Sequence, residues 1–272
     1  MNKLQIEFLN KDNVDDYQAI IECIDPWFGT VPIDYNKDSF GDELAGIRER
    51  LYNYQSIFLN SFIDPQSVYS LMKDVIIIIA YNNSIANFFL KREMPIFACT
   101  YPMNSQVICF LACVETDLIY QVFVHELVHA YRLCQLKIKT FKDYIVYNNL
   151  LCNVIYEEIV ASSFEKSIFS VLSWNEIMGG QFKKIYKEDI DRCITAIKKS
   201  KDIEELNKLF LEERKRDIIY SFCKMYALDK KVDQLLPLSA KNGLMNIVYD
   251  SGTLIVSIVF RKFNFCRSAA VS

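Results

Sequence analysis

Three residue types are scarce in this chain of 272 residues, which has seven glycines, six prolines and two histidines. Because glycine and proline are few while 19 phenylalanines and 16 tyrosines are present, the composition excludes a disordered or low-complexity chain. Hydrophobic residues make up 51% of the sequence, which is enough for a sizeable core. We therefore expect one large domain or two smaller lobes.

Strong charge of one sign and long apolar runs are also missing. The formal net charge of −3 gives no electrostatic reason to expect a nucleic-acid partner. The most apolar stretches, at 75–81, 107–114 and 253–260, are too short to cross a bilayer as a helix. The first 13 residues lack the apolar centre of a signal peptide. We expect no membrane span, and export without a cleaved leader stays open.

The chain has nine cysteines but no CxxC pair and no regular disulfide spacing. Five of them lie in apolar runs, namely Cys99, Cys109, Cys113, Cys134 and Cys152. This pattern indicates reduced, buried thiols in a chain that folds in the cytoplasm or another reducing compartment. A zinc site built from cysteines would show closer pairing than these spacings do.

Hydrophobic periodicity and turn residues predict an α+β fold in which a small mixed sheet is covered on one side by helices. The predicted strands are 75–81, 95–100 and 106–114, followed by a hairpin within 245–260. The predicted helices are 13–23, 41–62, 118–136, 148–172, 185–200 and 203–226. Thr116 and Asp117 are expected to cap the third of these helices.

Three divisions of the chain follow from this order of elements. Residues 1–66 form an N-terminal helical segment, residues 67–175 a central core that contains the first three predicted strands, and residues 176–272 a mainly helical C-terminal subdomain.

Both histidines lie in VFVHELVHAYR, residues 122–132. On a helix, His125 and His129 project from one face with Cβ atoms roughly 5–6 Å apart, so their imidazoles can bind one cation. Zinc accepts imidazole nitrogens and prefers four ligands. Glu126 would point beside the ion, where a base can take a proton from zinc-bound water. The odds of this spacing by chance, given two histidines, are on the order of one in a thousand.

The alternative is that both histidines fill a core and bind no metal. Burying two histidines and a glutamate on an apolar helix would be costly without a partner such as a metal ion, which favours the metal site.

A catalytic zinc ion needs three protein ligands, and no third histidine exists. The remaining choices are cysteine and carboxylate. Glu157 and Glu158 on the next long predicted helix are the only acids between Asp143 and Glu165. Both have apolar neighbours on their helical faces, so periodicity does not choose between them.

The segment HELVH resembles the HExxH signature of zincin metallopeptidases, and a glutamate on a following helix resembles the gluzincin subgroup. In that subgroup an alanine often follows the ligand glutamate by three residues. Glu158 with Ala161 fits this pattern, whereas Glu157 with Val160 does not. The resemblance therefore implies Zn²⁺ held by the two histidines and Glu158, with Glu157 as the alternative. Many members carry an aspartate where this chain has Ser162.

Two narrower resemblances concern the same region. HELVHAYR followed by paired glutamates is similar to the type III effector metalloproteases of bacterial pathogens. HELVHAYRLC with EIVASS is similar to the mitochondrial peptidase that processes an ATP synthase subunit.

The resemblance implies a zincin-like core within 67–175 and a zinc metallopeptidase acting on a protein or peptide substrate, with Glu126 as the general base. Three tyrosines, Tyr220, Tyr226 and Tyr249, are candidates to stabilise the oxyanion, but nothing selects one of them. We expect the substrate to lie extended along an edge strand, for which 106–114 is the candidate.

Two other functions stay open from the sequence. One is a zincin-fold pseudoenzyme or metal-binding sensor that docks a partner, and the other is a zinc hydrolase of a non-peptide amide. The sequence does not indicate an oligomeric state.

Overall fold

The computed structural model describes residues 3–26, 28, 41–91, 96–148 and 151–169. The chain divides into two compact units, residues 1–144 and 145–272. The predicted helices 185–200 and 203–226 and the predicted hairpin within 245–260 lie outside the described residues. The predicted divisions after residues 66 and 175 stay predictions.

The described elements are four short strands and seven helices of seven to 20 residues, besides one 3₁₀ turn. The strands are β1 (Gln5–Phe8), β2 (Val75–Tyr81), β3 (Ala98–Met103) and β4 (Gln106–Cys113). The helices are α1 (Gln18–Ile24), preceded by one 3₁₀ turn (Val14–Tyr17), α2 (Gly41–Asn60), α3 (Pro65–Met72), α4 (Ser84–Leu90), α5 (Thr116–Gln135), α6 (Phe141–Asn148) and α7 (Leu151–Phe169). These elements confirm a mixed α+β class.

The four strands form one mixed sheet in the order β1-β2-β4-β3. β1, β2 and β4 run parallel, and β3 pairs with β4 in the antiparallel direction. β4 is therefore an inner strand, and the prediction that 106–114 forms the edge was wrong. Among the described strands, the edge beside β4 is formed by β3. Strand order depends on how distant segments meet, so no local pattern predicts it.

Helices cover both faces of the sheet, so the expectation of cover on one side was wrong. Every residue of β2 is buried, and its β-branched run VIIIIAY suits a strand enclosed on both faces. On one face Phe110 packs against Phe89 of α4, with ring centroids 4.7 Å apart. On the other face Cys109, the neighbouring residue, contacts the α5 backbone at Glu126. Successive strand residues point to opposite faces, which accounts for this division.

A two-residue turn joins β3 to β4. Asn104 and Ser105 both have positive φ, 51° and 68°, as a type I′ hairpin turn requires. The predicted strand 95–100 ends too early, because β3 continues through Pro102 to Met103. Proline lacks an N–H group, so it fits an edge strand such as β3.

Three short helices, α3, α4 and α6, were not predicted from the sequence, although each is preceded by a recognisable capping residue. Asp64, Asn83 and Thr140 each accept a hydrogen bond from the backbone N–H three residues later, at 3.1, 2.8 and 3.1 Å. These contacts satisfy amide groups that the first turn of a helix leaves without a partner. No element was predicted between the helices 118–136 and 148–172, where the structure contains α6.

The beginning of α5 also differs from the prediction. The helix starts at Thr116, so Thr116 and Asp117 are its first two residues and not its caps. Glu115 holds the capping position, with extended backbone and without a side-chain cap.

Among the described residues five cysteines are free thiols, of which Cys109 and Cys113 are buried as predicted, Cys99 and Cys134 are half-buried, and Cys23 is exposed. Of the helices in the described ranges, none has the length and apolar character that crossing a membrane would require.

The hairpin turn yields a prediction for stability. Replacing Ser105 with Gly should raise the free energy of unfolding by about 0.5–1 kcal/mol, because glycine adopts positive φ without the steric cost of a Cβ atom. Thermal unfolding measures the effect. Ser105→Ala is the control, since it removes the hydroxyl and keeps the Cβ atom. A stabilised alanine variant would show that the hydroxyl, and not the backbone, causes the strain.

Candidate metal centre

The helix α5 lies within the protein, because one side contacts β3 and β4 and other sides contact α2 and α3. Nearly every residue from Leu118 to Leu133 is buried. His125 is 3% exposed and Glu126 is 7% exposed, while His129 is half-buried. The prediction that HELVH lies on a helix is confirmed, and the helix carries these polar side chains within a largely apolar stretch.

The two imidazole rings converge. Nε2 of His125 and Nε2 of His129 are 3.1 Å apart, and the ring planes meet at 69°. Two nitrogen ligands about 2.05 Å from a tetrahedral zinc ion would be about 3.3 Å apart. The two nitrogens are therefore spaced as ligands of a single ion, and the donor set fits zinc.

The same distance also suits an N–H···N hydrogen bond between the rings in a metal-free helix. Such a hydrogen bond is what we expect if both histidines fill a core and bind no metal. Metal analysis distinguishes the two cases, because only the first binds zinc.

Glu126 completes the cluster. Within the described ranges, His125, Glu126 and His129 are the one group of three or more metal-binding side chains whose ligand atoms all lie within 4.8 Å of one another. Oε2 of Glu126 accepts a hydrogen bond of 2.5 Å from the Thr100 hydroxyl on β3. The carboxylate is thus held at the edge of the sheet, close enough to both rings to accept a proton from a molecule bound there.

Thr100 was not identified from the sequence. It is 6% exposed, and its side chain points toward α5 together with that of Cys109, with Oγ1 and Sγ 3.3 Å apart. Strand alternation could have grouped Thr100 with Ala98 and Pro102 on one face. Nothing local, however, indicates which helix that face meets.

Cys109 is close to the cluster but has the character of a core thiol. Its Sγ lies 3.8 Å from the carbonyl oxygen of Glu126. Burial raises the pKa of the Cys109 thiol well above its usual range, so the thiolate form that binds zinc is disfavoured there. Burial also raises the pKa of Cys113 to about 12 and that of Cys134 to about 11.

Glu157 and Glu158 both lie on α7, which confirms a helix at this point of the chain. Glu157 is buried, and its Oε1 accepts a hydrogen bond of 2.6 Å from the Tyr147 hydroxyl. Glu158 is half-buried. These contacts do not choose between the two glutamates as a metal ligand. The choice of third ligand stays a prediction.

The three tyrosines considered for the oxyanion, Tyr220, Tyr226 and Tyr249, lie outside the described residues. Ser162, at the position where many zincins carry an aspartate, is buried on α7.

Comparison with known proteins adds no relative, since no family model, no curated protein and no solved structure matches this chain.

The first prediction for this site concerns zinc itself. Zinc in about 100-fold excess over its dissociation constant should raise the unfolding temperature of the wild-type chain by about 5–10 °C. His129→Ala should abolish the shift, because a single imidazole remains on α5. Cys109→Ala is the control and should respond like the wild type. A wild-type chain that neither retains zinc nor responds to it would support the hydrogen-bonded histidine pair.

The second prediction separates the two glutamates of α7. Glu158→Ala should weaken zinc binding by more than about 100-fold. This loss exceeds the roughly 10–100-fold loss of metal affinity that follows when a residue hydrogen-bonded to a ligand is replaced. Glu157→Ala should change it by at most about tenfold, because its carboxylate binds Tyr147. Competition titration with a chromophoric chelator measures both. The reverse order would assign the ligand to Glu157.

Proposed function

We propose that this protein is a zinc-dependent metallopeptidase that hydrolyses peptide bonds of a protein or peptide substrate. The observation that carries the proposal is the convergence of two imidazole nitrogens, 3.1 Å apart on a buried helix, beside a carboxylate held by an edge strand. A zincin-like core is part of the proposal. It is supported by the position of HELVH on a helix packed against a mixed sheet with an antiparallel edge strand.

His125 and His129 would hold the zinc ion through Nε2, with Glu158 as the proposed third ligand. When bound, zinc would lower the pKa of a water molecule toward about 7 and polarise the scissile carbonyl. The chain itself supplies the general base and the β-strand along which the substrate would lie.

Glu126 is the general base in this proposal. It accepts a proton from the attacking water and then gives it to the leaving amine. Because Thr100 binds Oε2, we assign the proton transfer to Oε1. Burial strengthens this carboxylate's electrostatic interactions, since bulk water is largely excluded around it.

β3 is the strand on which we place the peptide. In a two-residue hairpin the flanking residues, Met103 and Gln106, form a hydrogen-bonded pair, and such pairs alternate along the ladder. The N–H and C=O groups of Ala98 and Thr100 therefore point away from β4 toward the open edge. Pro102 follows the same phase but offers only a carbonyl. An extended peptide can pair with these groups by β-augmentation.

The test is the loss of the base without loss of the metal. Zinc-loaded wild-type protein should cleave members of a peptide pool prepared by digesting unfolded protein, and mass spectrometry identifies the cleaved sequences. Glu126→Gln should lower kcat/KM on a synthetic peptide of the preferred sequence by about 10²–10⁴-fold while zinc content stays at one per chain. Glu115→Gln, the same change at an exposed residue just before α5, is the control.

Two results would contradict the proposal. Full activity in Glu126→Gln would remove Glu126 as the base. Zinc binding by a wild-type chain that cleaves no peptide in the pool would instead favour a metal-binding sensor or docking protein.

A further inference from the structure

A single residue of the edge strand reaches both the base and the place proposed for the substrate. The Thr100 hydroxyl donates to Oε2 of Glu126 at 2.5 Å, and both residues are buried. A hydroxyl has one proton to donate, and the short contact with Glu126 assigns it there. The Sγ atom of Cys109 lies 3.3 Å from Oγ1 of Thr100.

The backbone N–H and C=O groups of Thr100 point away from β4. Thr100 lies opposite Cys109 in the antiparallel register. Phe97, three residues earlier, accepts a hydrogen bond from the N–H of Ala112 at 2.8 Å and so belongs to a hydrogen-bonded pair. Because bonded and non-bonded pairs alternate, Thr100 is in a non-bonded pair, and its N–H and C=O point to the open edge.

We infer that Thr100 is a positioning residue that fixes the carboxylate of Glu126 and couples it to the strand that receives the peptide. This inference rests on the proposed function. Threonine suits the role because two heavy atoms on Cβ restrict its side-chain rotation, particularly in a strand. The hydroxyl therefore stays aimed at α5, while the backbone groups of the same residue face an edge that no described strand covers.

Each part of this arrangement has a physical reason. A buried carboxylate needs donors, and Thr100 supplies one from a rigid element. The long side chain of glutamate would otherwise sample several rotamers, and few of these would place an oxygen beside the two rings. Movement of β3 on peptide binding would be passed directly to the base through one hydrogen bond. The expected loss on removing the hydroxyl is therefore in turnover and not in substrate binding.

Two variants test the inference. Thr100→Val keeps the shape and the backbone groups but removes the hydroxyl, and Thr100→Ser keeps the hydroxyl. Thr116→Val is the matched control, since it removes a different contact between a strand and α5, the 2.6 Å hydrogen bond to Tyr81. Thr116 is ten residues before Glu126, about 15 Å along the helix.

The activity arm uses zinc-loaded protein and the synthetic peptide selected from the pool. Thr100→Val should lower kcat by about 10–100-fold with KM changed less than about twofold. Thr100→Ser should recover most of kcat, and Thr116→Val should resemble the wild type. Zinc content should equal that of the wild type in all three, because no proposed ligand is changed.

The second arm needs neither metal nor activity. In the zinc-free chain, Thr100→Val should lower the unfolding temperature by about 3–6 °C, because the buried carboxylate loses its donor. In a Glu126→Gln background the same change should cost at most about half as much, since a neutral amide loses less than a carboxylate.

The outcomes separate the inference from the function on which it rests. Cleavage by both the wild type and Thr100→Val at similar kcat would overturn the positioning role and leave the peptidase intact. Equal thermal losses in the two backgrounds would overturn it as well. If the thermal coupling holds but the wild-type and Thr100→Ser proteins bind zinc without cleaving any peptide, the proposed function fails and the catalytic role of Thr100 fails with it.

Discussion

The arrangement depends on how a largely apolar helix accommodates the polar side chains of His125, Glu126 and His129. Burying an imidazole or a carboxylate without a partner costs several kcal/mol or shifts its protonation state. In α5 the two imidazoles approach each other, and Glu126 accepts a hydrogen bond from the hydroxyl of Thr100. α5 packs against β3 and β4, and this packing brings the Thr100 hydroxyl to the carboxylate of Glu126.

The edge position of β3 has a second consequence. β4 is enclosed between β2 and β3, so its backbone groups are used within the sheet. In β3, alternate N–H and C=O groups point away from β4. The series of these groups ends at Pro102, which has no N–H, and at the type I′ turn that follows. Under the proposed function, the same short strand would hold the substrate and orient the base. This places the requirements of binding and of chemistry on six residues, Ala98–Met103.

Strong local patterns identified part of the fold from sequence. The β-branched run of β2 and the long apolar pattern of α5 gave elements within two residues of those observed. The HELVH spacing likewise identified the two converging histidines, since helix geometry alone brings residues four apart together. The strand β1 and the helices α3, α4 and α6 were missed. They are short, and much of their stability comes from tertiary packing that local pattern does not encode.

Long-range features could not be predicted for the same reason. Sheet order decides that β4 is internal, and it decides that Thr100 meets α5. Both depend on pairing between distant segments. The identity of the third ligand is of this kind too, because periodicity around Glu157 and Glu158 is nearly equal.

The most direct measurement of the central claim is zinc K-edge X-ray absorption of the purified protein. The account predicts two imidazole nitrogens and oxygen ligands in a first shell at about 2.0–2.2 Å, with outer scattering from the imidazole rings and no sulfur. A shell at about 2.3 Å, which marks thiolate ligands, would contradict it, as would a spectrum without imidazole scattering.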